Sequence, residues 1–254
     1  MRGDDTDIGG RKAAFPETPA SAVLAIRSDD PLARARGFST LVAAYWKPVY
    51  KCIRIRFRKS NEEAKDLTQS FFTHALEREI FTSYDPERAS FRAFARTCLS
   101  NFVRSADESE RRLKRGGGAI KLSLDFDGAE SELALAEGSP AASYEEQFDR
   151  EMARSLEASA LGELEERLES RGKGIYFRIF ARYDLAPEEK PRPTYKDLAD
   201  ELGIKTTDVT NHLSHARRQM RAIVLRRLRE ITASDEEFRS EAQSLLGIDP
   251  EAAA

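Results

Sequence analysis

Apolar positions along this chain recur with the period of a helix. Between residues 20 and 59, Leu41, Val42, Tyr45, Trp46, Val49, Ile53 and Phe57 fall three and four apart and make one stripe. Pro48 interrupts it and predicts a kink or a break, because its ring removes a donor and crowds the preceding turn. Ser60 to Glu63 spells a capping box; the helix it starts runs to about Arg78 with Ala64, Leu67, Phe71, Ala75 and Leu76 inward. Beyond a turn at Asp85-Pro86-Glu87 and an N-cap at Ser90, Phe91, Phe94, Ala95, Cys98, Leu99 and Phe102 form a buried face. Arg88, Arg92 and Arg96 stand four apart as a ridge on a different side.

Periodicity then weakens. Residues 117–144, rich in Gly, Ser and acidic side chains, read as a linker after the stop at Gly116-Gly117-Gly118. It returns at a second capping box, Ser143 to Glu146, with Phe148, Met152, Leu156, Leu161, Leu164 and Leu168 on one edge until Gly172 and Gly174. Short helices follow over 175–185 and 194–202, then a long one over about 207–231, and Ser234 caps a last short one. Strand-type alternation is almost absent, so the pattern predicts an all-α chain of two small helical domains joined by a linker. The expected divisions are a disordered tail over 1–17, domains over 18–116 and 145–232, the flexible linker over 117–144, and a C-terminal tail over 233–254.

Composition narrows the function classes. Of 254 residues, 40% are hydrophobic and 33% charged, enough apolar content for packed cores. No apolar run is long enough to span a bilayer, and the start, Met-Arg-Gly-Asp-Asp, lacks the apolar segment of a secretory signal. Cys52 and Cys98, the only two cysteines, lie on apolar faces and suit inert thiols in a reducing cytoplasm. Net charge is only −3, but it is distributed in blocks. Residues 86–121 carry nine basic and four acidic side chains, 125–170 three and fourteen, and 205–230 seven and two. Two basic blocks therefore flank an acidic middle, which fits either two anion-binding surfaces or three solvated faces of differing sign.

The most informative stretch is 194–218. Leu198, Ala199, Leu202, Ile204, Val209 and Leu213 occupy the core positions of a helix-turn-helix, Gly203 supplies the turn, and Thr206 or Thr207 caps the second helix. In that reading Thr206, Thr207, Thr210, Asn211, His212, Ser214 and His215 face base edges and phosphates, and Arg217, Arg218 and Arg221 continue as phosphate or guanine contacts. The competing reading is an ordinary αα-hairpin with a basic solvated face.

With this motif in place, residues 20–232 resemble a bacterial RNA polymerase sigma factor of the extracytoplasmic-function type. Tyr45-Trp-Lys-Pro-Val-Tyr50, Glu62 to Phe72, Asp85-Pro-Glu-Arg88, Phe91-Arg-Ala-Phe94 and Lys114 to Gly118 are similar to sigma region two; 194–218 is similar to region four. The resemblance implies docking on core RNA polymerase through Glu62, Glu63, Asp66 and Gln69. It also implies capture of the melted −10 strand by region two, and reading of the −35 duplex of promoter DNA by region four. Strand capture by charge and stacking points to Arg88, Arg92, Arg96, Asn101 and Arg104, with Phe91 and Phe94 left to the core. The resemblance also implies a linker in the polymerase's RNA-exit path, no catalysis by this chain, no cofactor, and control by an anti-sigma factor.

One departure stands out. Lys65 and Ser70 occupy positions where such factors commonly carry acidic residues. Phosphorylation of Thr68, Ser70 or Thr73 by a Ser/Thr kinase would restore that charge, unless Glu62, Glu63 and Asp66 already suffice. His212 and His215 share a helix face but lack a third metal ligand, and no nucleophile–base set or phosphate loop is present. Two other function classes stay open: a stand-alone helix-turn-helix regulator, and an adaptor whose basic faces dock acidic proteins.

Overall fold

A computed structural model describes residues 21–110, 124–135, 143–187 and 191–251. The expected disordered tail and the triple glycine lie outside them. All regular structure among the described residues is helical: α1 (Ala22–Ala25), α2 (Pro31–Ile55), α3 (Asn61–Glu77), a 3-10 turn (Ile80–Ser83), α4 (Phe91–Glu110), α5 (Phe126–Leu135), α6 (Tyr144–Glu169), α7 (Gly174–Asp184), α8 (Tyr195–Leu202), α9 (Thr206–Glu230) and α10 (Asp235–Leu246).

Local chemistry sets the helix starts. Asp30 accepts from the Leu32 amide at 3.0 Å ahead of Pro31, the first residue of α2, where a missing donor does no harm. Ser60 with Glu63 and Ser143 with Glu146 form the two expected capping boxes. Pro48 does not break α2, which runs on to Ile55. Tyr45, Trp46, Val49, Cys52 and Ile53 are all buried around it, and their packing outweighs one lost backbone bond. Gly37 permits close packing of α1, since a Cβ there would lie 2.9 Å from both the Ala22 carbonyl and the Ala25 methyl. Along α3 the inward set is Ala64, Thr68, Phe71, Phe72, Thr73 and Ala75, whereas Leu67 is half-buried and Leu76 is exposed.

Two hydrophobic clusters organise the molecule. The first joins α1–α6 to the end of α9 and to α10, with Leu41, Tyr50, Phe71, Phe91, Leu99, Phe148 and Met152 at its centre. The second joins the C-terminal half of α6 to α7, α8 and most of α9, through Leu164, Leu168, Ile179, Leu198, Val209, Leu213 and Ile223. The change from one cluster to the other falls inside α6, between Leu156 and Ala160. α6 and α9 therefore each serve both.

Within the segment expected as a linker, α5 lies on α2. Phe126 and Ala129 are buried, and Phe126 stacks edge-on to Trp46 at 5.5 Å. Its carboxylates meet a row of cations: Glu132 takes Lys47 and Lys51, both at 2.7 Å, and Glu130 pairs with Arg54 and accepts from the Tyr50 hydroxyl at 2.6 Å. Part of the acidic block is thus spent neutralising α2. No helix among the described residues is long and apolar enough to cross a membrane.

Candidate nucleic-acid interface

The polar surface of α9 depends on the turn that launches it. Thr194 accepts from the Asp197 amide at 3.1 Å and Asp197 accepts from the Thr194 amide at 2.8 Å, so α8 starts in a closed capping box. Gly203 ends it at φ 66, a left-handed conformation that a side chain would strain. The Ile204 amide then donates to Ala199 at 3.0 Å. α9 begins at Thr206, one residue after its N-cap Lys205, whose backbone amide donates to the Asp208 carboxylate at 3.2 Å. Neither threonine provides the cap, because both already lie inside α9, Thr206 as its first residue.

Burial of Val209, Leu213 and Ala216 turns the opposite side of α9 to solvent. Thr206, Thr207, Thr210, Asn211, Ser214 and Arg218 are exposed there, with Thr207, Asn211, Ser214 and Arg218 in one row. Arg218 has no ion-pair partner among the described residues. The other predicted contacts are engaged by neighbours. Arg217 grips Asp184 through two hydrogen bonds of 2.7 and 2.8 Å and lies over the Tyr183 ring. Arg221 donates to the Asp249 carbonyl at 2.5 Å. His212 stacks flat on Tyr176 at 3.9 Å, and His215 meets the same ring edge-on at 5.2 Å.

The α6–α7 turn borders this row. Burial lowers the pKa of both histidines, and the cations of Lys173, Arg218 and Arg171 lower that of His215 further. Lys173 also lies 5.4 Å from the Tyr176 ring. Arg171, Lys173 and Tyr176 thus join the basic edge, although the sequence marked this stretch only as a helix break. Among the described residues no group of three or more His, Cys, Asp or Glu could hold a metal ion.

The arginine ridge of α4 is a different environment. Arg92 is nearly enclosed, 11% exposed, and bridges two carboxylates, Asp149 of α6 and Glu241 of α10, the latter at 2.6 and 3.1 Å. Burial alone would lower its pKa, but these hydrogen bonds raise it. Arg96 shares Asp149 at 3.4 Å and is 17% exposed. Arg88, Asn101 and Arg104 are exposed; Arg88 lies in the turn before α4, beside Asp85 at 3.1 Å, and so is not on the helical ridge that its spacing from Arg92 predicts. The five residues therefore do not form one surface: two face α6 and α10, and three face solvent. Phe91 is buried and Phe94 packs partly against the same core.

On α3, Glu62 pairs with Lys65 at 3.2 Å, Glu63 is tied into its capping box, Asp66 is exposed and Gln69 half-buried. Thr68 and Thr73 face the core with their hydroxyls buried and unpartnered. A kinase cannot reach either without opening α3, which leaves Ser70, half-buried, as the accessible member of the three. Burial pushes the Cys52 thiol up to about 12 and the Cys98 thiol up to about 11, so both stay protonated. Comparison with protein-family models, curated proteins and solved structures finds no match.

Proposed function

We propose that this chain is a transcription initiation factor of the sigma type, which binds core RNA polymerase and directs it to promoters. The observation that carries this reading is the open row Thr207, Asn211, Ser214 and Arg218 on α9, set one turn beyond the αL glycine that ends α8. Hydroxyl, amide and guanidinium groups at helical spacing can meet base edges and phosphates in a major groove. Arg171 and Lys173 extend the row toward the phosphate backbone, as sequence-independent attraction to duplex DNA requires.

In this reading Glu62, Asp66 and Gln69 on the solvent side of α3 meet the polymerase. Arg88, Asn101 and Arg104 meet the melted −10 strand, and α9 reads the −35 duplex. The polymerase supplies the chemistry; this chain supplies address and strand opening, in the cytoplasm, under an anti-sigma factor or a Ser/Thr kinase acting at Ser70. Selection of bound sequences from a randomised duplex library, with and without bacterial core polymerase, tests it. A sigma factor enriches two spaced elements only when core is present. Enrichment of a palindrome by the protein alone would indicate a stand-alone regulator, and no enrichment with retained polymerase-independent protein binding an adaptor.

A further inference from the structure

α10 places acidic side chains on the part of α4 that carries Arg92. Glu237 and Glu241, one turn apart on α10, both point at it. Glu241 is 5% exposed and forks onto the Arg92 guanidinium. Glu237 accepts the backbone amide of Phe91, the first residue of α4, at 2.6 Å, and the Tyr84 hydroxyl at 3.3 Å. It also accepts the Ala233 amide at 2.6 Å, so the same carboxylate closes the start of α10 onto the start of α4. Carboxylates on a guanidinium fork and on a helix N-terminus occupy the two kinds of position that phosphates take.

Charge arithmetic gives the consequence. Around the ridge stand Arg92 and Arg96 against Asp149, Glu237 and Glu241. With α10 docked, the cations are outnumbered and nothing there attracts a polyanion. With α10 withdrawn, two arginines face the single carboxylate of Asp149, and the start of α4 regains a free amide. The helix has the anchorage of a reversible latch. Ala242 is fully buried and Phe238, Leu245 and Leu246 pack partly on the cores, Ser244 accepts from the Arg92 guanidinium at 3.5 Å, and Asp235 and Glu236 look outward. It follows α9 through the four-residue connection 231–234.

We infer that α10 is an autoinhibitory latch whose Glu237 and Glu241 occupy a phosphate-binding site for single-stranded DNA centred on Arg92. This rests on the proposed reading of the chain as a promoter-opening factor, and it adds that the free protein is held closed by its own C-terminal helix. Withdrawal exposes Arg92 beside Arg96, which shares Asp149 with it, and completes the strand-binding surface.

The test uses the full chain and a fluorescent 12-nucleotide single strand at low salt, read by anisotropy, with hydrogen exchange of α10 followed in parallel. E241Q, and E237Q/E241Q more strongly, are expected to tighten strand binding about tenfold, with faster exchange in α10 and unchanged helix content. Adding R92Q to E241Q is expected to abolish the gain. In wild type, the strand itself is expected to speed exchange in α10. Equal affinity of wild type and E241Q, both folded, overturns the latch; so does a gain that survives R92Q, or no strand binding by any variant. If E241Q loses helix content, D149N, which leaves α10 intact, replaces it: a gain there below that of E237Q alone is expected, and none from either overturns the proposal. Polymerase-dependent selection of promoter elements is read separately, so loss of the latch and loss of the sigma reading give different results.

Discussion

The row on α9 and the ridge on α4 both began as helical arginine-rich surfaces, and they ended in opposite states. On α9, Arg218 stands open with Asn211 and Ser214 beside it, and the two arginines that are tied up, Arg217 and Arg221, lie at the edge. On α4, Arg92 and Arg96 are enclosed by Asp149 and Glu241, and Arg104 is open, as is Arg88 in the turn before the helix. Basic spacing alone does not say which state results. What decides it is whether an acidic helix from a distant part of the chain packs on the same side, and here α6 and α10 do.

The widest way to break the comparison is to remove the scaffold beneath one surface. Leu213 is fully buried under the α9 row. Leu213→Ala is expected to lower unfolding free energy by roughly 2–5 kcal/mol and to erase duplex binding with it, as read by urea denaturation. Because α6 and α9 each serve both clusters, a single cooperative transition is expected, with loss of helix signal and of Trp46 fluorescence together; two separated transitions would divide the molecule where the clusters meet.

A sharper contrast comes from one arginine on each surface. Arg92→Ala leaves the buried Glu241 without its partner and is expected to cost roughly 3 kcal/mol in stability. Arg218→Ala removes an exposed side chain with no ion pair among the described residues and should change stability by no more than about 0.5 kcal/mol. It should instead weaken duplex binding by about 1–3 kcal/mol, or flatten the salt dependence by about one unit of slope if Arg218 meets only phosphate. Equal stability losses for the two would erase the distinction between the open and the enclosed surface.

Smaller still is the launch of α8. Thr194→Ala removes the hydroxyl of its capping box and should lower stability by about 1 kcal/mol, measured by thermal melting, while Thr206→Ala, whose hydroxyl caps nothing, should not. The smallest effect is on pH. His212 and His215 have pKa values lowered by burial, and for His215 also by Lys173, Arg218 and Arg171, so both are neutral in the free protein near pH 7. An approaching phosphate favours the protonated imidazole and raises those pKa values, so binding takes up protons. Duplex affinity is therefore expected to rise modestly as pH falls from about 7.5 to about 5.5, and His215→Gln to remove most of that rise.

Local signals carried much of the fold. The capping boxes at Ser60 and Ser143, the αL glycine at position 203 and the buried set Leu198, Val209 and Leu213 were legible because each is a matter of neighbours a few residues apart. Pro48 misled, since its local penalty is outweighed by packing contributed from other helices. α5 was hidden because its ten residues are weakly amphipathic and make sense only against Trp46, Tyr50 and Arg54, some 80 residues earlier in the chain. The same distance hid the enclosure of Arg92: Glu241 lies 149 residues away, and no spacing rule links the two. Helix faces were therefore readable, while the partners of their charges were not.

Multi-round transcription by bacterial core polymerase on a library of genomic fragments, with and without the purified protein, tests the central claim most directly. A sigma factor produces start sites that appear only when the protein is added, preceded by two shared elements, and Arg218→Ala depletes those starts. Identical starts with and without the protein, under conditions where it is folded and binds duplex DNA, would contradict the reading and leave a DNA-binding protein that acts without polymerase.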